Sequence, residues 1–320
     1  MSRKFTNTAL LEIADKLKYL GVMSKIDYSE ISKNTEIRQK ILKSAIEEMA
    51  KRELAKISVS INFKKLPVIL ARIAIKSKKA QYNEKIFEII KSLPYLSSAA
   101  YVTGMGYSHI MSLVVPDFDT LCKLVNENAK KLEGLIENTN TMVVRDYVLL
   151  ENYKYTKEKT EKVELDKNDW KILYALRENA TNSLSALSKS VGLQAPSIHR
   201  RIKRLKKEGV INGYYCNRFV SKKPSEFTQV GCFVAIRHNG AEKDWEKIIT
   251  KIMNNKTCWK THVVLVFGEF DISFNLWADS PNLIREFIND LVSENENILG
   301  IDSSMILDYY KGNFTKSFAK

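Results

Sequence analysis

The chain has 320 residues, 44% hydrophobic and 28% charged, which is long enough for two or more domains with real cores and too apolar for a disordered protein. Its formal net charge of +14, from 51 Lys+Arg against 37 Asp+Glu, favours polyanionic partners, nucleic acid first and an anionic membrane surface second. It has no apolar run of about 18 residues, no signal-peptide core in MSRKFTNTALLEIADKL, and four scattered cysteines (Cys122, Cys216, Cys232, Cys258) without a CxxC pair or a histidine at ligand spacing, so the expectation is a reduced, cytoplasmic protein with no transmembrane helix.

Residues 1–66 are expected to form a short helical domain, and residues 67–150 to read βαββαβ. In the second block the strands fall at 68–75, 98–103, 109–115 and 141–149, and the helices at 83–92 and 119–132. The charged stretch Tyr155-Thr-Lys-Glu-Lys-Thr-Glu-Lys162 marks a linker over 151–163. A domain over 164–220 follows. Its first helix, 167–178, places Ile172, Leu173 and Leu176 on one face, behind Asp166 as N-cap. Ser183 caps a second helix, 184–190, and Val191-Gly192-Leu193 makes a tight turn. The third helix, 195–208, tolerates Pro196 in its first turn and stops at Gly209. Val210-Ile-Asn-Gly-Tyr-Tyr has the composition of a short hairpin, so the whole is a winged helix-turn-helix. The last domain, 226–312, is again βαββαβ, with strands at 230–237, 260–266, 271–277 and 300–310 and helices at 244–253 and 282–293.

The halves repeat one another. A shift of 156 places Ile31, Ile37, Leu42, Ile46, Met49 and Leu54 on Leu187, Leu193, Ile198, Ile202, Leu205 and Val210. A shift of 162 places Gly106 on Gly268, Asp117 on Asp279 and Leu121 on Leu283. The chain reads as a tandem duplication of one two-domain unit.

Residues 165–213, LDKNDWKILYALRENATNSLSALSKSVGLQAPSIHRRIKRLKKEGVING, resemble the Lrp/AsnC (feast/famine) family of transcription regulators. The shared pattern is Leu-Asp, Asp, Ile-Leu, Leu, Asn-Ala, a Gly-Leu turn, Arg-Arg-Ile, Leu and Gly-Val-Ile. The βαββαβ unit that follows, with Gly268-Glu-Phe-Asp271 between its central strands, resembles that family's effector and oligomerisation domain. The resemblance implies an α+β protein: two winged helix-turn-helix domains, the first degenerate, each followed by a ferredoxin-like βαββαβ domain. It departs at Gln194 and Thr181, where the family often has Ser and Arg. It departs further in the first half, where Glu36 and Glu53 replace glycines and Ser44-Ala45 replace the Arg-Arg pair.

In the third helix Ile198, Ile202 and Leu205 define a buried stripe. Arg200, Lys203, Arg204 and Lys207 fall opposite it, flanked by Ser197, His199 and Arg201, with Gln194 at the turn. Such a helix suits the major groove, where Arg can grip guanine and Ser or Gln can read more lightly. The lysines and Arg218 suit phosphates. Residues 164–223 hold 13 Lys+Arg against 5 Asp+Glu, so binding should fall steeply with salt. The alternative is a solvated basic face. The first head keeps Arg38, Lys40 and Lys43, offset by Glu47 and Glu48.

GMGYSH (104–109) lacks phosphate-loop spacing and reads as a hairpin turn. By family analogy Gly104, Gly106, His109, Gly268, Phe270 and Asp271 are candidate contacts for a small effector, and the resemblance implies a metabolite such as an amino acid; ordinary turn chemistry is the alternative. The remaining histidines (His199, His238, His262) are scattered, and the four tryptophans suit core or interface. No acid pair, nucleophile–base arrangement or metal cluster points to catalysis, and no cofactor or metal is implied. Double-stranded DNA is the expected partner and a homodimer or larger homo-oligomer the expected assembly. Two other readings stand beside this one: an enzyme like the siroheme decarboxylases, which resemble paired Lrp/AsnC-like units, and a ligand-sensing or assembly protein that does not bind DNA directly.

Overall fold

A computed structural model describes residues 5–19, 23, 25–52, 54–104, 106–147, 161–218, 230–239, 242–255 and 258–320. In chain order the first half contributes α1 (Asn7–Tyr19), α2 (Tyr28–Thr35), α3 (Gln39–Lys51), β1 (Ala55–Ile61), β2 (Ile69–Ser77), α4 (Asn83–Lys91), β3 (Leu96–Thr103), β4 (His109–Val115), α5 (Phe118–Lys131) and β5 (Ile136–Tyr147). The second half contributes α6 (Lys167–Glu178), α7 (Leu184–Val191), α8 (Ala195–Lys207), β6 (Ile211–Arg218), β7 (Val230–His238), α9 (Glu242–Asn254), β8 (Trp259–Phe267), β9 (Ile272–Ala278), α10 (Pro281–Ser293), β10 (Ile298–Lys311) and α11 (Thr315–Ala319). Among the described residues no helix is long and apolar enough to cross a membrane.

Four successive domains were the expectation, but contacts gather the chain into two units, and each unit draws on both halves. One comprises residues 1–66, 161–221 and 315–320, the other 67–160 and 222–314. Most of the linker expected at 151–163 lies outside the described residues; within its end, Val163 N–H donates to the Lys65 carbonyl at 2.8 Å.

The first unit holds the two helical heads. Helices α2 and α3 share their bounds with α7 and α8 at the constant shift of 156. The correspondence reaches single hydrogen bonds: Ser32 Oγ donates to the Ile37 carbonyl as Ser188 Oγ does to that of Leu193, both at 2.5 Å. At the turn, Gly192 has φ 77°, and its counterpart Glu36 adopts the same left-handed conformation at φ 58°. Leu10, Ala14 and Leu17 line α1, and Leu42, Ala45, Ile46 and Met49 line α3, all but absent from the surface. In α8, Ile198 and Leu205 are buried, whereas Ile202 is only half-buried. Full burial of such a side chain contributes about 1.5–3 kcal/mol.

The hairpin expected at 210–215 does not form. Helix α8 runs to Lys207, which leaves too little chain before Asn212-Gly213 for a first arm. Residues 211–218 instead make one strand, β6, which pairs antiparallel with β1 of the first half, from Ala55 opposite Arg218 to Ile61 opposite Ile211. Each head also closes on the other head's strand. Met23 and Tyr214 exchange backbone hydrogen bonds of 2.6 and 2.7 Å, and on the opposite side Ala180 N–H donates to the Ile57 carbonyl at 2.8 Å. Ser58 Oγ donates to the Arg177 carbonyl at 2.9 Å. Helix α11 joins this unit through Phe318, stacked on Trp170 with ring centroids 4.2 Å apart.

The second unit is a closed eight-stranded barrel in the order β10-β3-β4-β2-β5-β8-β9-β7. Each half supplies a four-stranded ferredoxin-like sheet, and the last strand of each pairs with the second strand of the other. The two junctions match in register: Val143 faces Phe267 and Val144 faces Val266, as Met305 faces Thr103 and Ile306 faces Val102, with an irregularity following in both. Closure leaves no free sheet edge for a stray strand to join.

The repeat alignment shifts by one or two residues here. Gly104, not Gly106, is the counterpart of Gly268. Both have strongly positive φ (136° and 151°), and each lies against the other half's last strand, Gly104 on Ser303–Ser304 and Gly268 on Thr141–Met142. Likewise Asp117, which caps α5, corresponds to Ser280, which caps α10, rather than to Asp279. The first half carries one more residue between Gly104 and His109 than the second does between Gly268 and Ile272, which takes the offset from 164 to 163. Two outer cores, around Ile73, Phe87 and Leu113 and around Val234, Phe274 and Phe287, lie under the helices, and a third around Phe233, Phe270, Met142 and Val264 fills the barrel. Inside it the buried Arg72 donates to Ser273 Oγ at 2.6 Å and sits over the Phe233 ring, 5.5 Å from its centroid.

Candidate nucleic-acid interface

Helix α8 begins at Gln194, which makes no side-chain cap, and carries Pro196 in its first turn. Gln194, His199, Arg200, Lys203 and Lys207 are exposed, and Ser197 is half-buried. No described carboxylate lies within ion-pair reach of Arg200, Lys203 or Lys207. These side chains form the outward basic face.

Arg201 and Arg204 point elsewhere. Asp166 and Asp169 form a capping box at the start of α6, each accepting the other's backbone N–H, at 3.1 and 2.8 Å. Arg201 donates to Asp166 at 2.7 Å and to Asp169 at 2.8 Å, and Arg204 also donates to Asp169, whose side chain is 1% exposed. Partial burial opposes ionisation of Asp166, but the Asp169 N–H and the Arg201 guanidinium prevail and hold its carboxyl below the usual range. The hydrogen bond to Asp166 and that to Asp169 hold Arg201 even more firmly protonated. These two arginines therefore fasten α8 to α6, while Arg204 keeps part of its surface in water. Lys206 lies over the Tyr214 ring at 4.8 Å. The clamp escaped the sequence reading, though its signal was there: Asp166 and Asp169 are three apart on one helix, and Arg201 and Arg204 three apart on the other. Arg218 ends β6 with its backbone opposite Ala55, and its side chain lies outside the described residues.

The turn residues divide. His109 is fully buried, stacked against Tyr101 and Phe87, with Nε2 3.0 Å from the Asn83 carbonyl and Nδ1 2.9 Å from Ser108 Oγ. Burial lowers its pKa to about 4, against a backbone hydrogen bond that opposes the shift. It is a core histidine, and its ring has no face left for a small effector. Phe270 is also buried, inside the barrel. Asp271 accepts the His238 N–H at 2.8 Å and so holds its own turn, as Ser108 does by accepting the Ser77 N–H at 3.0 Å. Gly106 stands in open space. Glu269 links the two turns, accepting from Tyr107 at 2.8 Å and from Asn140.

Gly104 borders a pocket. That concavity of about 330 Å³ is lined by Thr103, Cys232, Arg285, Asn289, Ser303 and Met305 among others. Its polar groups are a guanidinium, an amide and hydroxyls over an apolar floor. Burial pushes the Cys232 thiol up to about 12, so it offers no thiolate. Among the described residues no cluster of three His, Cys, Asp or Glu could hold a metal ion.

Residues 165–212 match the family described as winged helix-turn-helix DNA-binding. An uncharacterised HTH-type transcriptional regulator of Pyrococcus furiosus is 29% identical over 136 residues, covering 41% of this chain and 84% of the relative. Regulatory protein AsnC of Escherichia coli is 25% identical over 143 residues, covering 45% of this chain and 90% of AsnC. Over nearly the full length, the fold is that of the siroheme decarboxylase NirDL, solved with an iron-uroporphyrin III analogue. The TM-score is 0.62 at 15% identity, over 96% of each chain.

Proposed function

We propose that this relative of the AsnC-type transcriptional regulators is a sequence-specific, double-stranded DNA-binding regulator that reads its site with α8. The observation that carries this reading is the outward face of Gln194, His199, Arg200, Lys203 and Lys207, free of carboxylates on a helix whose other cations are spent on packing. Gln194, Ser197, His199 and Arg200 lie toward the N-terminal end of that helix and contact bases. Lys203, Lys207 and Arg218 contact phosphates and fix register, while Arg204, like Arg201, is held against α6. Arg201 acts by positioning α8. A small metabolite carrying a carboxylate, such as an amino acid, occupies the pocket beside Gly104 with Arg285 as its counter-charge and modulates DNA affinity. The chain works in the cytoplasm, and a second copy supplies a second reading head.

The test is fluorescence anisotropy of the full-length protein on a duplex pool across a salt series. Arg200→Ala/Lys203→Ala should lower affinity, and the log–log salt slope should fall by about 1, the share of the Lys203 phosphate contact. Its fold should not change, because both side chains are exposed. Arg201→Ala should instead lower the unfolding midpoint, since it leaves the buried Asp169 with Arg204 as its one remaining guanidinium partner. Equal binding by wild type and the double variant would overturn the assignment.

A second reading, a tetrapyrrole-modifying enzyme, is favoured by one observation: the decarboxylase fold covers nearly the whole chain, whereas each regulator relative covers less than half. Titration of the purified protein with siroheme, followed by visible absorbance, separates the two. A saturable spectral change with turnover of the macrocycle favours the enzyme; none leaves the regulator.

A further inference from the structure

The two heads are joined by one antiparallel ribbon, β1 with β6, and each α8 residue has an α3 counterpart at a shift of 156. The counterparts differ where they face outward. Arg38 stands for Gln194, Lys43 for His199, Ser44 for Arg200, Glu47 for Lys203 and Lys51 for Lys207. Ala45, in place of Arg201, is fully buried, so the inner clamp has become apolar packing. Arg52 ends α3 bound to Glu48 at 2.7 Å and to the Phe5 carbonyl and Asn7 Oδ1 at 3.1 and 3.0 Å. What α3 exposes is thus a basic first turn (Arg38, Lys40, Lys43), then an acid, Glu47, where the second head has a lysine.

We infer that the first head holds DNA by its phosphates without reading bases. Cations at the start of α3 can reach a strand beside the groove. Deeper insertion would bring Glu47 against the phosphate walls, where like charges repel. Each chain's share of the site is then one-sided: a single specific half-site under α8, flanked on one side by DNA whose length matters and whose sequence does not. A symmetric pair of identical heads would demand an inverted repeat. This inference rests on the DNA-binding reading above.

The experiment selects duplexes from a random pool with the full-length protein, then measures anisotropy on four probes: the selected site, the site with its flank scrambled, the site with its flank removed, and an inverted repeat of the half-site. The expected result is equal affinity for the first two and no gain on the inverted repeat per chain bound. Removal of the flank should cost about tenfold, with a salt slope shallower by about 2. Lys40→Ala/Lys43→Ala should reproduce that loss on the intact site and add nothing on the truncated one. Glu47→Lys should tighten binding to flanked probes. Both variants change exposed side chains, and unchanged circular dichroism will confirm their fold. An inverted repeat occupied by a single chain, as counted from the mass of the complex, or a flank whose sequence matters as much as the core, overturns the inference in favour of two reading heads within one chain. A removable flank overturns it in favour of a head that leaves DNA untouched. Failure to bind any duplex overturns the DNA-binding reading itself.

Discussion

His109 was an attractive ligand candidate in the sequence and is a neutral core residue in the fold. The reason is its neighbourhood: Phe87 and Tyr101 desolvate the ring, and the Asn83 carbonyl and Ser108 occupy its nitrogens. The consequence is a pH dependence of stability. An exposed histidine in the unfolded chain titrates near 6.5, whereas folded His109 titrates near 4. Between these values the unfolded state binds the extra proton. Stability is therefore complete above about pH 6.5 and falls as the pH drops toward 4, by up to about 3 kcal/mol. Urea midpoints measured from pH 7 to pH 4 should show this loss, and His109→Gln should remove most of its pH-dependent part. A midpoint independent of pH would show that His109 ionises alike in both states. Arg201 teaches the same lesson: an arginine in a basic run looks like a phosphate contact until its helix is seen against Asp166 and Asp169.

At the scale of elements, local patterns were largely sufficient. The helix at 167–178 and the strand at 109–115 lie where periodicity and capping put them, because Asp166 and the alternation of apolar residues act locally. What could not be read was pairing over long distance. The β1–β6 ribbon joins residues 150 to 163 positions apart, and the Asn212-Gly213 pair within β6 imitates a hairpin turn. The repeat was legible in the heads, where the shift is constant, and slipped in the barrel, where a turn of the first half has gained a residue. The binding face was legible as a basic helix, but which of its cations are spent on packing was not. One element also carries a strain that the repeat explains. Glu36 sits where the second copy has Gly192, in a backbone region that costs a side chain roughly 1–2 kcal/mol. Glu36→Gly should relieve it and lose part of the gain to unfolded-chain entropy, for a net stabilisation of about 0.5–1 kcal/mol. Thermal unfolding measures this, and a lower midpoint would mean that Glu36 makes a compensating contact.

For the whole molecule, the decisive feature is that neither half completes a unit. Each ferredoxin-like sheet has two edges that only the other half covers, and each head rests on the other's strand. Fragments 1–150 and 161–320 made separately should therefore expose sheet edges and self-associate. Mixed in equal amounts, they should form one compact species with native circular dichroism. Sizing chromatography distinguishes this from two independently folded monomers, the outcome that would contradict it. Joined in one chain, the halves meet at a local concentration that dilution cannot lower.

The barrel interior adds a historical constraint. Arg72 and Phe233 occupy corresponding positions in the two halves, and they touch, which puts both beside the axis of pseudo-symmetry. Two copies of the first half would bring a pair of guanidiniums together there; two copies of the second would bring a pair of phenyl rings and leave the Arg72–Ser273 hydrogen bond with no donor. Neither half can substitute for its sibling. A substitution in a true homodimer is inherited twice, once per subunit, whereas here it is inherited once. At this point of the barrel the halves are complementary rather than equivalent.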